Sequence, residues 1–379
     1  MDKSIETTIT KKERNTNLEL FRIIAMLLIV AHHYVVNSGV MDLIYVDLMS
    51  ARSIFLLLLG AWGKTGINCF VLITGYFMCK SSITAKKFAK LLFEVMLYRI
   101  VINAIFWISG YGTFSLIGMV KALFPFNSVG TGFTPAFLLF FLLIPFLNIL
   151  VRSMSKKQHV YLLFLLSFVY IILGTLKIVF PVTMNYFSWF SVLYIFAAYV
   201  RLYPNNFFES AKAWGWLALA SVVISALSVV ACAFISARLD KTLVYYFVTD
   251  SNTFLAFATG FSSFMFFKNV KIRYSPFLNA VAASCFGVLL IHSNNENMRR
   301  WLWQDVLNVR GAFYESFMPF HAILSVLAIF IVCVIIDRLR IAFLERPLFK
   351  FWDAHWGKVE AKFHALEAKL FSKNNELDD

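Results

Sequence analysis

The sequence predicts an all-α polytopic membrane protein with about ten transmembrane helices and both termini in the cytoplasm. Hydrophobic residues make up 60% of the 379-residue chain and charged residues only 15%, whereas soluble domains contain about 45–50% apolar and about 25% charged residues. The apolar residues form runs of about 20, the length at which a helix crosses the hydrocarbon core of a bilayer. The sequence does not show the alternating ten-residue strands that are typical of outer-membrane barrels.

The apolar runs follow one another with short connections, so there is no room for a soluble domain between them. The predicted spans are 20–39, 53–79, 88–109, 134–151, 159–176, 188–203, 213–235, 252–268, 277–294 and 320–345. The second run is long enough for its first half, 53–62, to form a separate interfacial helix. We therefore predict a cytoplasmic N-terminal tail (1–18), a membrane domain (19–347) and a cytoplasmic C-terminal tail (348–379).

Apolar residues in the C-terminal tail recur at three- and four-residue steps from Phe349 to Leu370, with lysines among them. This periodicity predicts an amphipathic helix. The helix would either lie on the inner leaflet of the membrane or pack on the cytoplasmic loops.

The distribution of positive charge predicts the orientation. With the spans placed as above, 24 Lys and Arg residues lie on the side of the N-terminus and 9 on the opposite side, while Arg22 and Arg99 lie within spans. Cytoplasmic loops of membrane proteins are enriched in Lys and Arg, so both termini are predicted to be cytoplasmic. The same rule accounts for the net charge of +14, and no nucleic-acid partner is expected.

The first span carries the most informative polar residues. Eleven steps of about 100° bring His33 within roughly 20° of Arg22, about 16 Å further along the helix, near the middle of the predicted span. Glu19 precedes Arg22 by three residues and can pair with it, whereas His32 points roughly 80° away. Ionisable residues inside a span indicate a function, and a proton relay is as plausible as an enzyme. The alternative is a structural histidine that hydrogen-bonds another helix, with an Arg22 that reaches the headgroups.

This spacing resembles acyltransferase family 3, whose members are polytopic bacterial membrane proteins that acylate sugars of cell-surface polysaccharides. An acidic residue, here Glu19 for the usual Asp, precedes Arg22, and ten residues separate Arg22 from His33. Further resemblance lies in Gly-Ile-Asn-Cys-Phe-Val-Leu-Ile-Thr-Gly-Tyr-Phe (66–77), Ile-Pro-Phe-Leu-Asn (144–148) and Cys-Phe-Gly-Val-Leu-Leu-Ile-His (285–292). The resemblance covers about residues 14–347, and the His-His-Tyr version looks like the subgroup from Gram-positive surface-polysaccharide clusters.

The resemblance implies an O-acyltransferase of the bacterial plasma membrane. It would move an acyl group, most simply acetyl, from cytoplasmic acetyl-CoA to a sugar hydroxyl of an exopolysaccharide, capsule or wall-glycan precursor. The acceptor would be a carbohydrate or a lipid-linked glycan. The implied catalytic residues are His33, Arg22 and Glu19. The implied donor-binding residues are Arg22, Lys87, Lys90, Thr74 and Gly75. The implied acceptor-binding residues are His292 and His32.

Two departures from the family pattern bear on the donor site. Thr74-Gly75 replaces the usual Ser-Gly and keeps the hydroxyl group. Lys87-Phe-Ala-Lys90 replaces an Arg-x-x-Arg pair, which keeps the charge and loses the bidentate geometry toward phosphate. These lysines could equally serve as ordinary positive-inside anchors.

The predicted orientation also indicates from where each substrate reaches His33. The pantetheine arm of CoA would reach it from the cytoplasmic side, and the acceptor would approach from the outside or from within the bilayer. Whether His33 acts as a general base or carries the acyl group stays open. The sequence has no His-Glu-x-x-His, Cys-x-x-Cys or Gly-rich phosphate loop, so no metal is expected. The alternative from another class is a proton-coupled transporter or flippase of a lipid-linked oligosaccharide or small solute, with His33 as the proton site.

Overall fold

The structure is a computed structural model, and it describes residues 15–176, 179, 184–239 and 241–357. This described part is helical and contains no strand. The helices are α1 Thr16–Val36, α2 Val40–Val46, α3 Ala51–Gly60, α4 Gly63–Met78, α5 Ala85–Ile108, α6 Leu116–Leu123, α7 Phe133–Ser153, α8 Lys156–Thr175, α9 Tyr186–Leu202, α10 Ala211–Leu239, α11 Phe254–Asn269, α12 Pro276–Ala282, α13 Cys285–His292, α14 Glu296–Ala312 and α15 Met318–Arg340.

A helix lies at each of the ten predicted spans. Within the described residues, seven helical segments are long and apolar enough to cross a membrane, or eight if the bent pair Pro276–His292 and Glu296–Ala312 is one span. The seven are Thr16–Val36, Ala51–Met78, Ala85–Ile108, Phe133–Ser153, Lys156–Thr175, Ala211–Leu239 and Met318–Gly357. The all-α polytopic prediction is therefore confirmed, whereas the number ten and the orientation stay predictions.

The second predicted span is divided. Its first half forms a separate helix, α3, and α4 begins at Gly63 after a two-residue break. The first span begins earlier than predicted, at Thr16, because the Asn15 side chain accepts hydrogen bonds from the backbone N–H groups of Asn17 and Leu18. An asparagine at this position satisfies backbone donors that the first helical turn leaves without partners.

Helix α4 lies at the centre of the packing and contacts α1, α9 and α11. Glycines on α4 permit this close approach, because a Cβ atom at Gly66 would lie 2.8 Å from the Ala25 carbonyl oxygen of α1. A Cβ atom at Gly75 would lie 3.0 Å from Cβ of Ala197 and 3.1 Å from Cα of Tyr194 in α9. Small residues at helix contacts are the usual means by which membrane helices pack closely.

A buried asparagine joins α4 to its neighbours. The Asn68 amide nitrogen donates to the carbonyl oxygens of Ser251 (2.7 Å) and Ala256 (3.1 Å), and its amide oxygen accepts from Nε1 of Trp189 (2.9 Å). Asn68 is fully buried. These bonds use both amide N–H groups and the amide oxygen, so the polar group is satisfied without water.

The chain divides into two compact units, residues 1–333 and 334–379. The described part of the second unit, residues 334–357, is helical and contains a buried ion cluster. Arg340 contacts the carboxylates of Asp337 (2.8 Å) and Glu345 (2.7 Å). Most of the predicted amphipathic tail lies outside the described residues, and the predicted division at residues 18 and 347 stays a prediction.

Candidate active site

Two histidines that are 259 residues apart in the chain meet at the end of α1. His33 lies in the last turn of α1, and His292 is the last residue of α13. The two rings face each other with His33 Nδ1 and His292 Nε2 separated by 2.9 Å. The position of His33 corrects the expectation of a mid-span histidine, because α1 ends at Val36.

Hydrogen bonding determines which nitrogen of each ring carries a proton. The Nδ1 atom of His292 lies 2.6 Å from the carbonyl oxygen of Val288, one helical turn earlier. Because a carbonyl only accepts, this Nδ1 must carry the hydrogen, and Nε2 of a neutral His292 is then an acceptor. His33 therefore donates through Nδ1–H, and its Nε2 keeps a lone pair.

The neighbouring His32 is held in a different way. Its Nδ1 atom lies 2.6 Å from the carbonyl oxygen of Gly60, at the end of α3. Its ring occupies space that only a glycine leaves open, since a Cβ atom at Gly63 would lie 2.3 Å from Cγ of His32. The α3–α4 break thus supplies both the acceptor and the space for this imidazole.

The contact at Gly63 yields a prediction on stability. Gly63→Ala should displace the His32 ring and destabilise the protein by about 1–3 kcal/mol, the usual cost of inserting atoms into a packed site. Thermal unfolding in detergent would measure this loss. The double variant Gly63→Ala with His32→Ala should unfold close to the temperature of His32→Ala alone, because the clash is gone. Additive losses in the double variant would contradict this interpretation.

Both His32 and His33 line a cavity of about 600 Å³. Its other walls come from the start of α4, from α5 and α6, from the 127–135 segment, from Tyr186 of α9 and from residues 289–299. The lining contains four cationic side chains, Lys64, Arg99, Lys121 and Arg299, and no described Asp or Glu. A cavity of this size accommodates a ligand as large as a sugar or a thioester arm.

Two of the cations have defined partners. Lys64 Nζ donates to the hydroxyl oxygen of Tyr186 at 2.8 Å. The Arg99 guanidinium donates to the backbone carbonyl oxygens of Lys121 and Ala122 and to the side-chain oxygen of Asn127. Arg99 therefore links α5 to α6 and to the segment that follows α6, and all three line the cavity.

The family model Acyl_transf_3, described as an acyltransferase domain, matches residues 15–338, which is most of the chain. The chain belongs to acyltransferase family 3. None of the curated proteins and none of the solved structures compared with the chain matches it. Family membership and the apolar helices together make the protein a multi-pass membrane acyltransferase.

The acyltransferase pairs Glu19 with Arg22 as the sequence predicts. The Arg22 guanidinium lies 2.8 Å from the Glu19 carboxylate and 5.8 Å from the centre of the Phe70 ring. The pair lies near the start of α1, and neither residue is among those lining the cavity around His33. The structure therefore separates the predicted catalytic residues along α1, and a catalytic role for Glu19 and Arg22 stays a prediction.

The predicted donor-binding residues lie apart from the cavity as well. Thr74 donates its hydroxyl hydrogen to the Phe70 carbonyl oxygen (3.0 Å), and Gly75 faces α9 as described above. Lys87 is exposed, and its Nζ contacts Ser81 Oγ (2.9 Å) and the Ser82 carbonyl oxygen (2.6 Å). Lys90 lies in the next turn of α5. A donor role for these four residues stays a prediction.

His32 and His292, the predicted acceptor-binding residues, both lie beside His33. His292 is fully buried and bonds to His33, so its contact in the structure is with the candidate base. Sequence reasoning missed Lys64, Lys121 and Arg299 as site residues. The only signal that marked them was their place among the Lys and Arg residues of the charge-poor side, whereas Arg99 stood out because it lies within a span.

Proposed function

We propose that this acyltransferase moves an acetyl group from cytoplasmic acetyl-CoA to a hydroxyl of a cell-surface glycan or its precursor, in the bacterial plasma membrane. The observation that carries the proposal is the His33–His292 pair, which leaves His33 Nε2 with a lone pair in a ring that lines the cavity. An imidazole in this state accepts a proton from a sugar hydroxyl near neutral pH.

The reaction then follows from ordinary acyl-transfer chemistry. The hydroxyl oxygen attacks the thioester carbonyl carbon while its proton moves to His33 Nε2, so that a C–O bond forms. The C–S bond breaks next, and the CoA thiolate takes the proton from His33. Throughout, Nδ1–H of His33 donates to His292 Nε2, which stabilises the positive charge that develops on the His33 ring.

The proposal assigns the two ends of α1 to different substrates. The end with Glu19, Arg22 and the start of α5 is the predicted cytoplasmic end, which is where acetyl-CoA is available. The His33 end is the predicted external end, so the pantetheine arm would reach the histidine through the protein while the acceptor enters the cavity from the other side. Family membership supports acyl transfer, and the positive-inside charge distribution supports this arrangement.

A transfer assay with the purified protein in nanodiscs tests the proposed function. We expect release of free CoA thiol from acetyl-CoA and transfer of the labelled acetyl group to glycan from the host envelope. A protein that neither binds acetyl-CoA nor releases its thiol would contradict the proposal. Proton-coupled solute flux by such a protein would favour a transporter instead.

The donor site has its own prediction. Lys87→Gln and Lys90→Gln should each raise the KM for acetyl-CoA by about tenfold, because a charge-assisted hydrogen bond to phosphate contributes roughly 1.5–3 kcal/mol. Steady-state thiol release measures this effect. Lys157→Gln is the matched control, since Lys157 is an exposed lysine on the same predicted side of the membrane, in the first turn of α8.

A truncated donor sharpens this test. Acetyl-pantetheine lacks the phosphates of acetyl-CoA, so its KM should not change in Lys87→Gln or Lys90→Gln. An unchanged KM for acetyl-CoA in both variants would show that these lysines are positive-inside anchors only.

A further inference from the structure

The cavity beside His33 has an unbalanced charge. Four cationic side chains line it, and the described lining residues include no carboxylate. Cations that share a small cavity repel one another, and an anion placed among them is attracted by all four. The composition of the wall therefore favours a negatively charged occupant.

No carboxylate among the described residues neutralises these four charges. Within the described residues, the side chains of Lys121 and Arg299 take part in no hydrogen bond or ion pair, and neither Lys64 nor Arg99 contacts a carboxylate. The Lys64 ammonium group donates a hydrogen bond to the hydroxyl oxygen of Tyr186 and lies over its ring. These charges remain available to a ligand.

Membrane topology does not account for them either. Lys64, Lys121 and Arg299 are three of the 9 cations on the charge-poor side of the predicted spans, where the positive-inside rule does not favour Lys or Arg. Arg99 lies inside the apolar helix α5, where a charge is costly and usually marks a functional site. Three cations of the charge-poor side and one cation inside a span therefore line the same cavity.

We infer that this cavity binds an acceptor glycan that carries a negative charge, either a phosphate or a carboxylate group, and that Lys64, Arg99, Lys121 and Arg299 recognise that charge. The inference rests on the proposed function and specifies its acceptor. The neutral polar residues of the same wall, Asn103, Asn127, Ser128 and Tyr186, offer the donors and acceptors that sugar hydroxyls require. The anionic group thereby holds the sugar next to His33.

The phosphates of CoA are the competing explanation, and the geometry of α5 argues against them. Lys87, in the first turn of α5, precedes Arg99 by twelve residues, which corresponds to about 18 Å along the helix. The predicted donor lysines and the cavity cations therefore lie at separate levels of the same helix. The cations that line the cavity would therefore bind the acceptor, and the CoA phosphates would bind at Lys87 and Lys90.

The test compares matched neutral and anionic sugars on the full-length protein in nanodiscs. The probes are N-acetylglucosamine against N-acetylglucosamine 1-phosphate, and glucose against glucuronic acid, with binding measured by calorimetry and acetylation measured from acetyl-CoA. We expect the anionic member of at least one pair to bind more tightly, and the pair that shows the difference tells phosphate from carboxylate. Equal binding within both pairs, or no binding of either anionic sugar, would overturn the inference.

Charge variants test the named residues. Lys64→Gln and Arg299→Gln should each weaken binding of the preferred anionic sugar by about tenfold, the loss of one charge-assisted contact, and should leave the KM for acetyl-CoA unchanged. Arg299→Lys keeps the charge and should retain most of the affinity. Lys241→Gln is the control, because Lys241 belongs to the same charge-poor side and does not line the cavity.

The outcomes separate the two proposals. If Arg299→Gln raises the KM for acetyl-CoA and not the dissociation constant of the sugar, the cavity is a donor site and the inference is wrong while the proposed function stands. If the wild-type protein never releases CoA thiol, the proposed function fails, and the sugar-binding comparison still decides the charge preference of the cavity.

Discussion

His33→Ala is expected to lower acyl transfer by about 10²–10⁴-fold, the usual contribution of a general base, while the protein still inserts and folds. The reason is chemical, because the His33 Nε2 lone pair is the proposed acceptor of the hydroxyl proton and alanine offers none. Glycan acetylation per unit of inserted protein measures the effect. Thermal unfolding of the same preparations verifies that the variant is folded.

His32→Ala is the matched control. Both imidazoles line the cavity, at adjacent positions of one helix turn. They differ in their partners, because His33 donates to a second imidazole whereas His32 lies against the backbone carbonyl of Gly60. We expect His32→Ala to keep most of its activity. An active His33→Ala beside an inactive and well-folded His32→Ala would show that the two roles are reversed.

The sequence alone predicts those features that depend on residues close together in the chain. Runs of apolar residues located every predicted helix, since each span is a local property of the chain. The three-residue spacing of Glu19 and Arg22 predicted their ion pair, because residues three apart share one helix face. The break between α3 and α4 was likewise visible in a run too long for one span.

The sequence was insufficient for the features that depend on how distant segments meet. The histidine that contacts His33 comes from α13, and no periodicity relates residues 259 positions apart. Gly75 shows a different limit, because a glycine motif cannot distinguish a ligand contact from the close approach of another helix. The cavity cations come from four separate segments, and Lys64, Lys121 and Arg299 each resembled an ordinary loop or interfacial charge.

His292→Phe is expected to lower acyl transfer by roughly 10- to 100-fold, a part of the 10²–10⁴-fold contribution of the general base. Phenylalanine preserves the volume of the ring next to Trp303, whose ring centre lies 6.3 Å from that of His292. It removes the acceptor for His33 Nδ1–H, so the proton of a neutral His33 can move to Nε2, where it blocks the base. His292→Gln restores an acceptor oxygen at similar reach and should recover part of the activity.

A spectroscopic measurement separates this positioning role from a loss of packing. Nitrogen-15 NMR of labelled histidine reports the tautomer of His33, which should carry its proton on Nδ1 in the wild-type protein and in His292→Gln. In His292→Phe we expect the Nε2–H form to grow and the rate to fall in proportion. Packing damage would instead lower the rate of acyl transfer equally in His292→Phe and His292→Gln and would leave the His33 tautomer unchanged. In that case the hydrogen bond between the two rings would have no part in catalysis. The Val288 carbonyl oxygen holds the proton of His292 on Nδ1, so that Nε2 of His292 accepts from His33. If the tautomer of His33 changes with residue 292, this backbone carbonyl of α13 determines, through His292, which nitrogen of His33 acts as the base.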